Sequence, residues 1–235
     1  MKTSVRRWWR VLLLSLVWCL VVSTHRDAMA EGRALLVGCS RYPNLSPGRQ
    51  LFGPANDVVL MRQLLVDRFG FRQERVVTLA DGAGGEALRP TRANIQREMG
   101  RLARSARQGD QVVILLAGHG SQQPDEQPGN PEDIEPDGLD EIFLPCDVGR
   151  WDGEKGRVAN AICDDEIRQW LAAIAEKEAS VWIIVDACHS GTMARGGDEA
   201  VLREVPAGEL VPGDVLEKAR AAALQAPWPE APRGA

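Results

Sequence analysis

The sequence predicts a mainly parallel α/β sheet, and three observations lead there. Short runs of uninterrupted apolar residues, ALLVG at 34–38, VVILLA at 112–117 and VWIIV at 181–185, read as strands buried on both faces. Amphipathic segments with helical spacing separate them, the alternation that a parallel sheet with helical crossovers requires. Polar, chemically capable residues follow two of these runs directly: Gly-His-Gly-Ser after the second and Asp-Ala-Cys-His-Ser-Gly after the third. In open parallel sheets, that end of a strand is where ligands and reactive groups gather.

The elements follow in order. Arg33 to Gly38 is a first strand. Asp57 to Phe69 is a helix with Val58, Met61 and Leu65 along one face, stopped by Gly70. Arg75 to Leu79 is a second strand. Thr91 caps a helix carrying Ile95, Met99 and Leu102. Gln111 to Ala117 is a third strand. Gln122 to Gly138, rich in Pro, Gly and acidic residues, is a loop, and Glu141 to Leu144 is a short extra strand. Asp164 caps a helix with Ile167, Trp170, Leu171 and Ile174 on one side, and Val181 to Val185 is the fourth main strand. After Gly196 the chain changes. It holds Pro206, Pro212, Pro227, Pro229 and Pro232, with one helical stretch at Leu216 to Leu224 and then a tail of disordered composition.

The first thirty residues stand apart from this pattern. Lys2, Arg6, Arg7 and Arg10 precede a twelve-residue apolar stretch, Val11 to Val22, and Ala28-Met29-Ala30 is a small-x-small cleavage site. This is the layout of a signal peptide cut after Ala30, with an uncleaved membrane anchor as the alternative. The expected organisation is therefore 1–30 signal peptide, 31–196 one α/β domain and 197–235 Pro/Ala-rich tail. Hydrophobic residues make up 44% and charged residues 26%, the balance of a globular chain. Cleavage takes five basic residues and one acidic from totals of 28 and 33, leaving a formal charge of −9, which argues against a nucleic-acid partner. Cys39, Cys146, Cys163 and Cys188 remain, each on or beside a core element, and are read as mostly free thiols.

Two strand ends bring His119 and Cys188 toward one crevice if the third and fourth strands are neighbours. A thiol and an imidazole there suffice for nucleophilic catalysis. Cys188 taken alone is equally a small buried hydrophobe, and His119 between two glycines has no packing task. A flavodoxin-like nucleotide or flavin binder is the reading from another class, but GCSRYPNL after the first strand is a poor phosphate loop.

These residues resemble the caspase-like cysteine peptidases, and Asp-Ala-Cys-His-Ser-Gly resembles the metacaspase branch. GPANDV at 53–58, PTRANI at 90–95, DGLDEIFLPCD at 137–147 and DDEI at 164–167 agree, so the resemblance spans about residues 33 to 195. It implies a three-layer α/β/α caspase-like fold, with the later small-subunit strands missing or divergent. It also implies a cysteine endopeptidase cleaving protein or peptide substrates after Arg or Lys, which the signal peptide would export from the cytoplasm. Cys188 would be the nucleophile and His119 its partner. Gly120 and Cys188 would supply the oxyanion-hole amides, and Asp57 and Asp186 the pocket for the residue before the cleaved bond. His189 would serve the turn. No cofactor is required. Asp140, Asp164 and Asp165 match calcium-binding positions in some metacaspases, although a further ligand position is occupied by Arg195; a solvated acidic loop is the other reading. Ala117 and Pro54 also depart from the family pattern. A catalytically inactive scaffold or binding domain remains the second functional class. Self-cleavage is expected at Arg150, Lys155 or Arg157, or near Arg195.

Overall fold

The computed structural model describes residues 30–82, 84–130, 134–187 and 203–225. Its strands are β1 (Gly32–Gly38), β2 (Val76–Ala80), β3 (Gln111–Ala117), β4 (His119–Pro124), β5 (Leu139–Leu144), β6 (Trp151–Asp152), β7 (Arg157–Val158), β8 (Ile162–Cys163) and β9 (Ser180–Asp186). Its α-helices are α1 (Pro54–Asp67), α2 (Arg92–Ser105), α3 (Asp164–Ala175), α4 (Ala207–Leu210) and α5 (Gly213–Gln225). Among the described residues, no helix is long and apolar enough to cross a membrane.

The central sheet runs β2-β1-β3-β9, and every neighbouring pair is parallel. Alternation along β1 divides the core in two. Ala34 and Leu36 share a cluster with Val58 and Leu65 of α1. Leu35 and Val37 share the larger cluster with Ile95, Met99 and Leu102 of α2 and Ile174 of α3. Helix, sheet and helix thus form the three layers that the resemblance implies.

A smaller antiparallel sheet, β4-β5-β8, continues from the end of β3. Only Gly118 separates β3 from β4. A Cβ there would lie 2.7 Å from the Tyr42 hydroxyl, so a residue with a side chain would displace that tyrosine. Residues 203–225 pack onto this side of the molecule. Val205, Leu210, Val211 and Leu216 are buried in the main cluster, and Glu204 forms a parallel bridge with Gly120. The later segment thus contributes buried residues to the core.

Several expected elements differ in detail. The first helix begins at Pro54 and not Asp57, because proline at the first position loses no hydrogen bond and has its φ already set. Cys163, not Asp164, is the N-cap residue of α3, and Asp164, Asp165 and Glu166 occupy its first turn, where negative charge suits the helix dipole. Gln122 belongs to β4 and not to the acidic loop, because Gln122 and Gln123 pair with Glu141 and Asp140. The segment GRWDGEKGR forms the β6–β7 hairpin. The main surprise is β9. Among the described residues it lies at the sheet edge, with Trp182 72% and Val185 48% exposed, so its apolar run does not mean burial on both faces. Cys39, Cys146 and Cys163 are free and buried; Cys188, His189 and Arg195 lie outside the described residues.

One buried ion pair ties the sheet together at its starting edge. Asp110, just before β3, accepts from Arg33 Nε at 2.7 Å, from the Glu31 amide at 2.9 Å and from the Arg107 amide at 3.0 Å. Its carbonyl takes the Ser180 amide at the start of β9. Both charged side chains are almost wholly buried. Asp110→Ala leaves the buried Arg33 guanidinium with only Glu31, at 3.2 Å, and strips two amides of their acceptor, so a cost of about 3–5 kcal/mol is expected. Urea denaturation of the variant against wild type measures it, and a loss below about 1 kcal/mol would contradict this assignment.

Candidate active site

The register of β3 with β9 sets the site. Ala117 stands opposite Asp186, and the Gly118 amide donates to the Asp186 carbonyl at 3.3 Å. His119, two residues beyond Ala117, is 1% exposed. Two groups from the loop between β1 and α1 hold it. Its amide donates to the Tyr42 hydroxyl at 2.8 Å, and the Tyr42 ring lies 4.9 Å from the imidazole, centroid to centroid. Its Nε2 lies 2.8 Å from the Arg49 carbonyl oxygen. A carbonyl can only accept, so Nε2 carries the proton and Nδ1 holds the free lone pair. Nδ1 is buried and has no partner among the described residues. The loop is itself braced, with Gln50 accepting from the Tyr42 amide and donating to the Tyr42 carbonyl.

Asp57 and Asp186 come together on one group, the guanidinium of Arg203. Arg203 Nη2 lies 2.7 Å from Asp57 Oδ2, and Nη1 pairs with Asp186 Oδ2. Asp57 sits in the first turn of α1 and Asp186 ends β9, so the pocket lies where the first helix meets the last strand. Gly53 forms its wall: a Cβ there would come 2.5 Å from Arg203 Nη2. The main chain of Arg203 is held as well, because the Gly120 amide donates to its carbonyl at 3.0 Å. His119, Gly120, Asp57 and Asp186 are thus assembled by the fold, while Cys188 follows Asp186 by two residues in sequence.

The acidic residues Asp140, Asp164 and Asp165 are not gathered into one set. Asp140 is fully buried on β5. Its Oδ2 accepts from the Glu126 amide at 3.0 Å and from Cys163 Sγ at 3.2 Å, and its Oδ1 has no partner among the described residues. Burial pushes its carboxyl up to about 7. Asp140 groups with Glu126 and Cys163, whereas Asp164 groups with Glu135 and Glu141. Asp165 pairs with Arg168 at 2.8 Å and accepts from Gln127 at 3.0 Å. The unpartnered oxygen of Asp140 fits a hard cation, but the neighbouring Cys163 thiol is a soft donor that calcium does not favour.

Tyr42, Arg49, Gly53 and Arg203 belong to this site and escaped the sequence reading. Tyr42 left one signal, as the single tyrosine of the chain. Arg49 contributes a backbone carbonyl, which has no sequence signature at all.

Burial holds the His119 imidazole below its ordinary value of 6.5; the Arg49 carbonyl opposes the shift but is outweighed. The unfolded chain therefore takes up this proton at a higher pH than the folded one. Stability is retained above pH 6.5 and lost as pH falls through 6.5 toward the folded value. His119→Gln should lose less stability between pH 7 and pH 5 than wild type, measured by denaturant titration at both. An equal loss in the two chains would show that His119 charges as freely in the fold as outside it.

Residues 32–195 match the family described as metacaspase, peptidase C14 domain. Metacaspase-1B of Aspergillus clavatus is 35% identical over 168 residues, which cover 72% of this chain and 37% of that protein. Metacaspase-7 of Arabidopsis thaliana is 33% identical over 169 residues, again 72% of this chain and 37% of that protein. The chain thus matches little more than a third of these curated relatives. Among solved structures, protein GSU0716 from Geobacter sulfurreducens shares the fold, with a TM-score of 0.53 and 24% identity over 86% of this chain and 67% of that one. With most of its length matched by that family, this chain is a member of the metacaspase family of caspase-like C14 peptidases.

Proposed function

We propose that the protein is a cysteine endopeptidase that cleaves after arginine or lysine, using His119 and Cys188. The observation that carries this reading is the convergence of Asp57 and Asp186 on a single guanidinium beside His119. Two carboxylates at one point recognise a planar, forked cation and repel an acidic side chain. His119 contributes a neutral imidazole with its Nδ1 lone pair free. In the mechanism, that nitrogen accepts the Cys188 thiol proton and the thiolate attacks the carbonyl carbon. The developing oxyanion is stabilised by the Gly120 amide, joined by that of Cys188, and the imidazolium returns its proton to the departing amine. Water then hydrolyses the thioester, releasing the acyl product as a carboxylate and restoring the thiol. The Arg49 carbonyl acts on the imidazole alone, fixing its tautomer and direction.

The reading extends to residues 1–30 as an export signal, supported by Ala28-Met29-Ala30 and the basic head before the apolar stretch. Exported protein should then begin at Glu31. Calcium is part of the proposal only at Asp140, the carboxylate with an unpartnered buried oxygen. Calcium titration followed by thermal shift should stabilise wild type and leave Asp140→Asn unmoved, and equal responses would remove the ion from the proposal.

The deciding assay is hydrolysis of fluorogenic peptides that differ only in ending with Arg, Lys, Asp or Leu. Arg is expected first, Lys second, with Asp and Leu negligible. Cys188→Ala and His119→Ala should each abolish cleavage while the chain stays folded. Both pocket carboxylates are partly exposed, so Asp57→Ala or Asp186→Ala should cost near the lower end of the range for a lost charge contact, about 2 kcal/mol or 30-fold in kcat/KM on Arg peptides. Faster cleavage after Asp would overturn the pocket assignment. A folded wild type that cleaves none of the four would favour the inactive scaffold.

A further inference from the structure

We propose that the outer edge of β9 is a self-association surface, on which two copies of the chain pair antiparallel about Ile183. The proposal concerns the sheet and not the chemistry, so it stands or falls independently of the peptidase reading.

The register fixes which main-chain groups of β9 point outward. At the end of the strand the Asp186 carbonyl accepts from the Gly118 amide, and at its start the Ser180 amide donates to the Asp110 carbonyl. Both residues therefore turn their main chain toward β3. Alternation gives Trp182 and Ile184 the same direction and turns the amides and carbonyls of Val181, Ile183 and Val185 away from β3. Among the described residues, no strand of the central sheet lies on that side. The edge also lacks the usual protection. Between Ser180 and Asp186 it carries only apolar residues, with no lysine, no proline and no break in register. The opposite edge is less bare, because the Val76 carbonyl of β2 accepts from Arg62 Nη1 at 2.6 Å.

The sequence of β9 suits a second β9. A two-fold axis beside an edge strand makes the pair antiparallel and sets the same patch against itself. With Ile183 opposite its own copy, Val181 falls opposite Val185. These are the three residues whose main-chain groups point outward, so each such pair closes two hydrogen bonds. No other two-fold register pairs all three with one another. Trp182 then stands opposite Ile184 on both sides of the axis, an aromatic and β-branched pair of the kind that stabilises sheets. Both are exposed, and they flank Val113 and Leu115 in the β3 register. Ser180 falls opposite Asp186, so no like charges meet along the strand. The two four-stranded sheets become one continuous sheet, and the strand ends that carry Asp186 point in opposite directions.

Sedimentation equilibrium of the full-length chain should show a reversible monomer–dimer equilibrium. Two double variants remove the same apolar pair and differ only in charge. Trp182→Lys with Ile184→Lys sets lysine against lysine across the axis and should weaken association about tenfold or more. Trp182→Glu with Ile184→Lys sets glutamate against lysine and should recover most of that loss. A second measurement covers variants that fail to fold. Chains carrying Trp182→Cys or Ile184→Cys, each with Cys188→Ala, are oxidised separately and as a mixture. Directly opposed residues of this type lie about 4.5 Å apart between Cα atoms, within disulfide range, whereas the diagonal distance of about 7–8 Å exceeds it. The mixture should therefore cross-link and neither chain alone should. A wild type that stays monomeric into the high micromolar range would overturn the proposal and leave the edge to a strand of another protein. A dimer indifferent to the double lysine substitution would place the interface elsewhere, and cross-linking of either chain with itself would overturn the register about Ile183.

Discussion

The parallel register of β3 with β9 is the constraint on which the site depends. Ala117 opposite Asp186 places the end of one strand level with the end of the other, so His119 and the pocket carboxylate leave the sheet side by side. A slip of one residue would turn Asp186 to the opposite face and dismantle the pocket without removing a single functional group. Among the described residues β9 is an edge strand, with β3 as its only partner in the central sheet. Asp110 secures the opposite end of that pairing, where its carboxylate gathers Arg33 and two amides while its carbonyl receives Ser180. A buried ion pair is weak evidence of net stabilisation, and its value here is positional.

The histidine is oriented by a backbone carbonyl and a tyrosine hydroxyl rather than by a carboxylate. A carboxylate at Nε2 would raise the imidazole's proton affinity. The Arg49 carbonyl fixes the same tautomer with a dipole alone, and burial dominates the shift. Carboxylates stand instead in the adjacent pocket, where Asp57 and Asp186 meet the Arg203 guanidinium. The loop between β1 and α1 therefore serves the chemistry through groups that any residue type carries, together with one tyrosine.

This explains which parts of the molecule were legible in the sequence. The sheet and its flanking helices follow from apolar runs and helical spacing, and β3 matches its expected limits at Gln111 and Ala117. His119, Gly120, Asp57 and Asp186 stand at strand and helix ends, where sheet geometry leads one to look, and the structure draws these four together. The remainder depends on tertiary placement. Apolar content in VWIIV cannot reveal that β9 is an edge, because burial belongs to the neighbours of a strand and not to its own residues. The short β6–β7 and β8 pairings carry too few residues for a period to emerge. Arg203 lies 146 positions from Asp57 in a proline-containing stretch with little strand signal, so no local pattern links them.

The pairing of Asp57 with Asp186 also poses a problem that Arg203 resolves. Two carboxylates close enough to share one guanidinium repel one another when that guanidinium is absent, and the repulsion must be relieved by protonation, by movement or by a cation. Two carboxylates so placed are therefore least comfortable without a cation between them. An internal arginine satisfies both carboxylates in the resting chain, and the buried residues that follow it hold it in place. The charge arrangement that would suit a basic substrate under the proposed function is thus satisfied here by a basic residue of the chain itself.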